Sequence, residues 1–188
     1  LDLERKGFPF RNANRFNIVP VENANAFPRV LEKTLKEDNC ETIVVESFTK
    51  YVEQVNTLAT NSFKGYDIWS FYNRTIRNML DSIKNDKATI IFTAVDDIVK
   101  IPQITGGESS HRRVKVQGKV HEGAVEKEFL MVLFTEVRKN EKTEEMEYFF
   151  QTNTDGVTSA KTPMGMFDKQ LIPNDIVEVL KKVEEYYA

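Results

Sequence analysis

The run Glu41-Thr-Ile-Val-Val-Glu46-Ser47-Phe-Thr49-Lys50 constrains this chain more than any other stretch. Residues 42–45 are apolar or β-branched with no polar alternation. That is the pattern of a strand covered on both faces, and such strands belong to parallel sheets. Parallel neighbours need a long crossover, usually a helix, so the flanks should read as helices. Residues 26–37 place Phe27, Val30, Leu31 and Leu35 at helical spacing, with Pro28 in the first turn where proline is tolerated. Asp38 and Asn39 end that helix, and a second begins at Phe48 and runs to about Leu58. Residues 66–84 carry the broad stripe Ile68, Trp69, Tyr72, Ile76, Met79, Leu80 and Ile83. A further buried strand is expected over 88–95, ending at Asp96-Asp97. Ahead of these, residues 1–4 read as the end of a strand, 5–15 as a loop and 16–21 as a short strand. The order predicts β-α-β-α-β with right-handed crossovers.

The character changes after residue 100. Residues 101–113 have loop composition, while 114–120, 129–137 and 147–152 alternate or run apolar between turns, as antiparallel strands do. Pro173-Asn174-Asp175 opens a last helix over 176–187. The expectation is one α/β domain over 1–188, with a parallel part over 1–100 and antiparallel strands plus a helix over 114–188.

Composition narrows the setting without naming a chemistry. No apolar run approaches the ~20 residues that span a bilayer. The lone Cys40 excludes an intramolecular disulfide and suits a reducing compartment. A net charge of −3 provides no global attraction to nucleic acid, so such binding would need a local basic patch. His111 and His121 lack a cysteine partner and metal-ligand spacing, which argues against zinc. Neither a G-x-S-x-G elbow nor a Cys/His nucleophile signature is present.

In parallel sheets ligands gather at the carboxyl ends of the strands. Here the expected strands end in acids at Glu4, Glu46 and Asp96-Asp97. Glu46 with Ser47 suits an acid that holds Mg²⁺ through water beside bound phosphates, and Glu4 one strand over suits a general base. The same residues are also what a strand that simply ends in polar side chains would show. Thr93 lies where a polar sensor of the terminal phosphate would stand, but Val95 is aliphatic. Lys161 is a lone base in a loop containing Gly165 and Pro163. The stretch 101–113 carries Gly106 and Gly107 ahead of His111, Arg112 and Arg113, and Arg113, Lys115 and Lys119 alternate onto one face. A flexible basic loop of this kind can track a phosphate backbone, and an ordinary exposed loop looks the same.

Taken in order, these blocks resemble the RecA-core ATPases, and among them the phage "AAA domain" nucleotide-binding proteins related to single-strand-annealing recombinases. Leu1-Asp-Leu-Glu4 is similar to the strand whose glutamate activates the hydrolytic water. Ile43-Val-Val-Glu46-Ser47 resembles the Walker B strand, where that family usually has Asp. Gly65-Tyr-Asp-Ile-Trp69 with Ile90-Ile-Phe-Thr-Ala-Val95 resembles its helix and sensor strand, with Val95 replacing a usual His or Gln. Gly118-Lys119, Glu126-Lys-Glu-Phe129, Ser159-Ala160-Lys161-Thr162-Pro163 and Ile172-Pro-Asn-Asp175 are similar to its later blocks.

The resemblance implies a RecA-like P-loop NTPase core with a mostly parallel central sheet and an antiparallel extension. It further implies ATP and Mg²⁺ as cofactors, with Mg²⁺ held by Glu46 and the nucleotide also met by Ser47 and Thr93. Glu4 would be the base, and Lys161 would reach the nucleotide across a subunit interface. His111, Arg112, Arg113 and Lys115 would contact single-stranded DNA. A homo-oligomeric ring or filament, a role in DNA recombination, repair or replication, and a place in the cytoplasm of a phage host follow as expectations. No G-x-x-x-x-G-K-[ST] loop occurs in the 188 residues. The resemblance places that N-terminal unit directly ahead of Leu1. The competing expectation is a non-catalytic assembly module on a degenerate ATPase core.

Overall fold

The computed structural model describes residues 1–7, 15–37, 39–84, 87–104, 106–121 and 123–188. Most of the loop expected over 5–15, and Asp38 at the expected end of the first helix, lie outside these residues. The chain divides into two compact units, 1–95 with 115–122, and 96–114 with 123–188.

The first unit is built around a short parallel pair, β1 (Thr42–Val45) and β2 (Thr89–Phe92), in register from Thr42–Thr89 to Val45–Phe92. Asp2 extends this pair through parallel bridges to Glu46 on one side and Pro20 on the other. The N-terminal segment is thus laid between residues 19–21 and the end of β1, with the Asp2 amide donating to the Val19 carbonyl at 2.9 Å and the Leu3 amide to that of Glu46 at 2.7 Å. The expected parallel order is present, but as short segments joined by single bridges.

Helices α1 (Phe27–Leu35), α2 (Phe48–Ser62) and α3 (Tyr66–Ser82) surround this core. Each turns its periodic apolar stripe inward. Phe27 and Leu31 are buried from α1; Tyr51, Val52, Val55 and Ala59 from α2; Tyr72, Ile76, Met79 and Leu80 from α3. Phe27 meets Tyr51 at 5.2 Å and Phe92 at 6.3 Å between ring centroids, and Phe48 meets Phe92 edge-on at 6.1 Å. Contacts of this kind add to the area they bury. Helix α2 runs beyond its expected end near Leu58, because Ala59 continues the buried stripe.

The strand expected over 114–120 does not form. Residues 115–118 are irregular and lead into a 3₁₀ turn at Lys119–His121. Gly118 explains the break: its φ is +72°, and a Cβ there would fall 2.8 Å from the Trp69 ring. The chain is pressed against an indole in a conformation only glycine adopts readily.

The second unit holds two antiparallel sheets. Strands β3 (Asp96–Pro102) and β4 (Glu108–Val114) form a hairpin, so residues 101–113, expected as loop, are largely paired. Gly106 and Gly107, both at positive φ, make its turn. Asp96-Asp97 therefore opens β3 and does not close β2, which stops at Phe92. Strands β5 (Phe134–Lys139), β6 (Met146–Gln151) and β7 (Leu171–Pro173) form the other sheet, and α4 (Ile176–Tyr187) follows, capped by Asp175. The buried apolar set here is small (Val125, Phe134, Ala160, Met166, Val179) and shares the interior with Glu126, Gln151, Thr152 and Thr158. Hydrogen bonds offset the cost of burying the polar ones. Thr152, for instance, donates from its hydroxyl to the Lys169 carbonyl at 2.9 Å and from its amide to that of Gln170 at 2.8 Å. Among the described residues, no helix is long and apolar enough to cross a membrane.

Candidate functional site

Two neighbouring backbone segments deliver the acids of the first unit. Glu46 follows β1 directly, and the Leu3 and Glu4 amides both donate to its carbonyl, at 2.7 and 3.3 Å. This pairing brings Glu4 to the carboxyl edge where Glu46 and Ser47 stand. The Glu46–Ser47 peptide bond is cis. Ser47 is the N-cap of α2: its hydroxyl oxygen accepts from the Lys50 amide at 3.2 Å and donates to Glu4 Oε1 at 2.8 Å.

Glu4 is therefore held in its charged form. The Ser47 hydrogen bond, helped by Lys6 at 3.4 Å, keeps its carboxyl below the usual range against the smaller opposing effect of burial. Thr93 is the first residue past β2. Its amide donates to the Val45 carbonyl at 3.2 Å, its carbonyl accepts the Phe48 amide at 2.8 Å, and its hydroxyl donates to the Glu46 carboxylate. Thr49 is buried and accepts the Val95 amide at 2.8 Å, while the Val95 side chain is exposed. At this edge the polar contact to Glu46 thus comes from position 93.

The edge offers two carboxylates and two hydroxyls, an all-oxygen donor set. It suits Mg²⁺, which binds few protein carboxylates and keeps much of its water. Among the described residues, no group of three or more His, Cys, Asp or Glu side chains is placed to hold a metal ion by itself.

The other expected site residues fall elsewhere. Lys115 belongs to the first unit, where its amide donates to the Val95 carbonyl at 2.9 Å. His111, Arg112, Arg113 and Lys161 belong to the second. Arg112 is already engaged: Nε donates to Asp96 at 2.7 Å, one terminal nitrogen to Glu136 at 2.8 Å, and the guanidinium lies 5.3 Å from the Phe134 centroid. Those contacts tie the hairpin to β5. Lys161 has a fixed backbone, since it exchanges two 2.9 Å hydrogen bonds with Val132.

Sequence reasoning gave Ser47 and Thr93 as nucleotide contacts but missed their pairing with Glu4 and Glu46. It also missed Asp96 as the partner of Arg112. The Asp96–Val114 register that brings these together becomes visible only once 101–113 is read as half of a hairpin.

A mixed α/β unit whose parallel strands end in an acid-and-hydroxyl edge puts that edge where ligands of such sheets bind. Residues 6–164 match the family model described as AAA domain, and the chain belongs to that family of AAA-type P-loop nucleoside triphosphatases. The match includes Glu46, Ser47, Thr93, the β3–β4 hairpin and Lys161; Glu4 and α4 lie outside it. No curated protein and no solved structure matches the chain.

Proposed function

We propose that the edge around Glu46 is the magnesium end of an ATP site, in an ATPase that acts on DNA in recombination, repair or replication. The observation that carries this reading is the Glu46 carboxylate fixed by the Thr93 hydroxyl, beside a Glu4 carboxylate fixed by Ser47. Glu46, with the Ser47 hydroxyl near it, would hold Mg²⁺ through water. The ion, when bound, neutralises charge on the phosphates. Thr93 restrains the Glu46 carboxylate, which would present it to the ion's water shell in one orientation. Glu4, with its affinity for protons lowered, orients an attacking water more than it removes a proton from it, because a base works best with a pKa near the operating pH. His111, Arg113 and Lys115 are the residues of this reading that would meet a DNA backbone.

The test is ATP turnover by the full-length protein beside its Glu46→Gln variant. A fall of about 100-fold is expected for loss of a group that orients the metal's shell. Equal turnover in the two proteins would remove Glu46 from the site.

A second reading is an assembly module on a core that no longer hydrolyses ATP. The exposed, aliphatic Val95 favours it. It predicts no magnesium-dependent nucleotide binding by the full-length protein and an unchanged assembly state on adding ATP.

A further inference from the structure

The second unit contains an open cleft of about 420 Å³, within the size range of small-ligand sites. We propose that this cleft binds a sugar phosphate: the phosphate between Arg113, Lys127 and Lys161, and a neighbouring hydroxyl on Glu126.

The cleft is lined by these four residues together with His111 and Ser159, among others. Its charge is lopsided. Arg113 and Lys161 have no side-chain ion pair among the described residues, and Lys127 has only a loose one, 3.9 Å from Glu128. A phosphomonoester dianion matches such a cluster of free donors, and charge-assisted bonds to it are the strong ones.

The floor supplies the second observation. Glu126 is 4 % exposed, and only one of its carboxylate oxygens is satisfied. Oε1 accepts from the Val114 amide and the Ser159 hydroxyl, each at 3.0 Å, whereas Oε2 is buried with no hydrogen-bond partner among the described residues. A buried, half-satisfied carboxylate is costly to keep. It calls for a donor, and a phosphate has none to give in its dianionic form. A sugar hydroxyl beside the phosphate supplies what Glu126 lacks while the phosphate meets the cations.

The walls are stiff enough to present these groups. Lys161 is pinned to Val132 on both sides of its peptide unit. The 154–158 turn closes on Asp155, whose Oδ1 accepts from the Val157 amide at 2.9 Å and from the Thr158 amide at 2.8 Å. The guanidinium of Arg113 lies over Gly123, 3.8 Å from where a Cβ would be. The lining hydroxyls of Thr154, Thr158 and Ser159 donate to the Thr158 carbonyl, Asp155 and Glu126, which leaves recognition to the cations and Glu126. This role gives Lys161 a ligand within its own unit, in place of one across a subunit interface.

A sugar phosphate reaches such a cleft either as a free mononucleotide or as the phosphorylated end of a strand. The experiment is calorimetric titration of the full-length protein in EDTA, which silences any magnesium-dependent site. The probes are a nucleoside 5′-monophosphate, the unphosphorylated nucleoside, inorganic phosphate, and a short single strand with and without a 5′-phosphate. Binding of the monophosphate but not the nucleoside is expected. Arg113→Ala and Lys161→Ala, both at the cleft rim, should each weaken it at least tenfold, and Glu46→Gln should leave it unchanged. Tighter binding of the phosphorylated strand than of the mononucleotide, with the same losses in the variants, would support the site and name its source. No binding of either phosphorylated probe, or binding indifferent to Arg113 and Lys161, would overturn it. Glu126→Gln adds a check on the floor: weaker binding of the monophosphate with unchanged binding of inorganic phosphate is expected, and equal loss of both would overturn the assignment of Glu126.

Discussion

Ser47 and Glu4 stand 43 positions apart in sequence and share one hydrogen bond of 2.8 Å. The same hydroxyl caps α2, so a single side chain fixes a helix start and the charge state of a neighbouring segment's acid. Replacing Ser47 with Ala should cost about 1 kcal/mol of stability, the usual loss for an N-cap. It should also let the Glu4 carboxyl rise toward its ordinary range. Because the folded value is depressed, its contribution is fully present above the unfolded pKa of about 4.3 and is lost as pH falls through the lower folded value. Urea denaturation gives the first effect and a carboxyl-detected NMR titration the second. An unmoved Glu4 titration in the variant would show that Lys6, not Ser47, sets its charge.

Thr93 and Glu46 form the matching pair across β1 and β2. Thr93→Val keeps the shape and removes the hydroxyl. Loss of one charge-assisted hydrogen bond, about 1.5 kcal/mol, corresponds to about tenfold in rate if it is felt at the transition state. Turnover of ATP by the full-length protein should fall by that order, less than for Glu46→Gln, with circular dichroism unchanged. A variant as fast as the parent would leave Thr93 a purely structural residue.

The first unit was largely legible because its signals are local and periodic. Helices α1, α2 and α3 and strand β1 each announce themselves through apolar spacing, and Glu46 follows from where β1 ends. The hairpin was hidden for a physical reason. Strand β4 is Glu-Ser-Ser-His-Arg-Arg-Val, which is polar because most of its side chains are paired or half-exposed, and only its register with β3 makes it a strand. The Gly106-Gly107 pair, read as a flexible loop, was the available hint of a tight turn. Residues 114–120 failed in the opposite sense: they alternate like a strand, yet Gly118 must yield to Trp69. The cleft of the second unit was invisible, since Arg113, Glu126 and Lys161 come from three separate stretches with no shared motif.

Arg112 should behave as a fold residue. It bridges Asp96 and Glu136 while covering Phe134, and this geometry raises its hold on its proton above the ordinary guanidinium level, chiefly through the Asp96 hydrogen bond. All three side chains are partly exposed, so each bond is screened and the clamp is worth about 1–2 kcal/mol in total. Arg112→Lys keeps the charge but not the forked geometry, and should lose most of that stability. Thermal unfolding of both proteins gives the comparison. If Arg112→Lys melts with the parent while DNA binding weakens, the side chain serves a ligand and not the hairpin.

His121 should make the first unit acid-sensitive. It is 6 % exposed, its ring stands 5.9 Å from that of Tyr72, and Nε2 has no hydrogen-bond partner among the described residues. Burial, with a smaller contribution from the charge of Arg77, lowers its pKa below the ordinary 6.5. The fold therefore holds the neutral ring while the unfolded chain takes up a proton near pH 6.5. The sign follows from linkage: the unfolded state binds more protons in the window below 6.5, so stability falls as pH drops through it and recovers as pH rises. The melting temperature should decline between pH 7.5 and 5.5. His121→Phe keeps an aromatic ring against Tyr72 without a titrating nitrogen, and its melting temperature should decline less over the same range. Parallel declines in the two proteins would place the acid sensitivity on other groups.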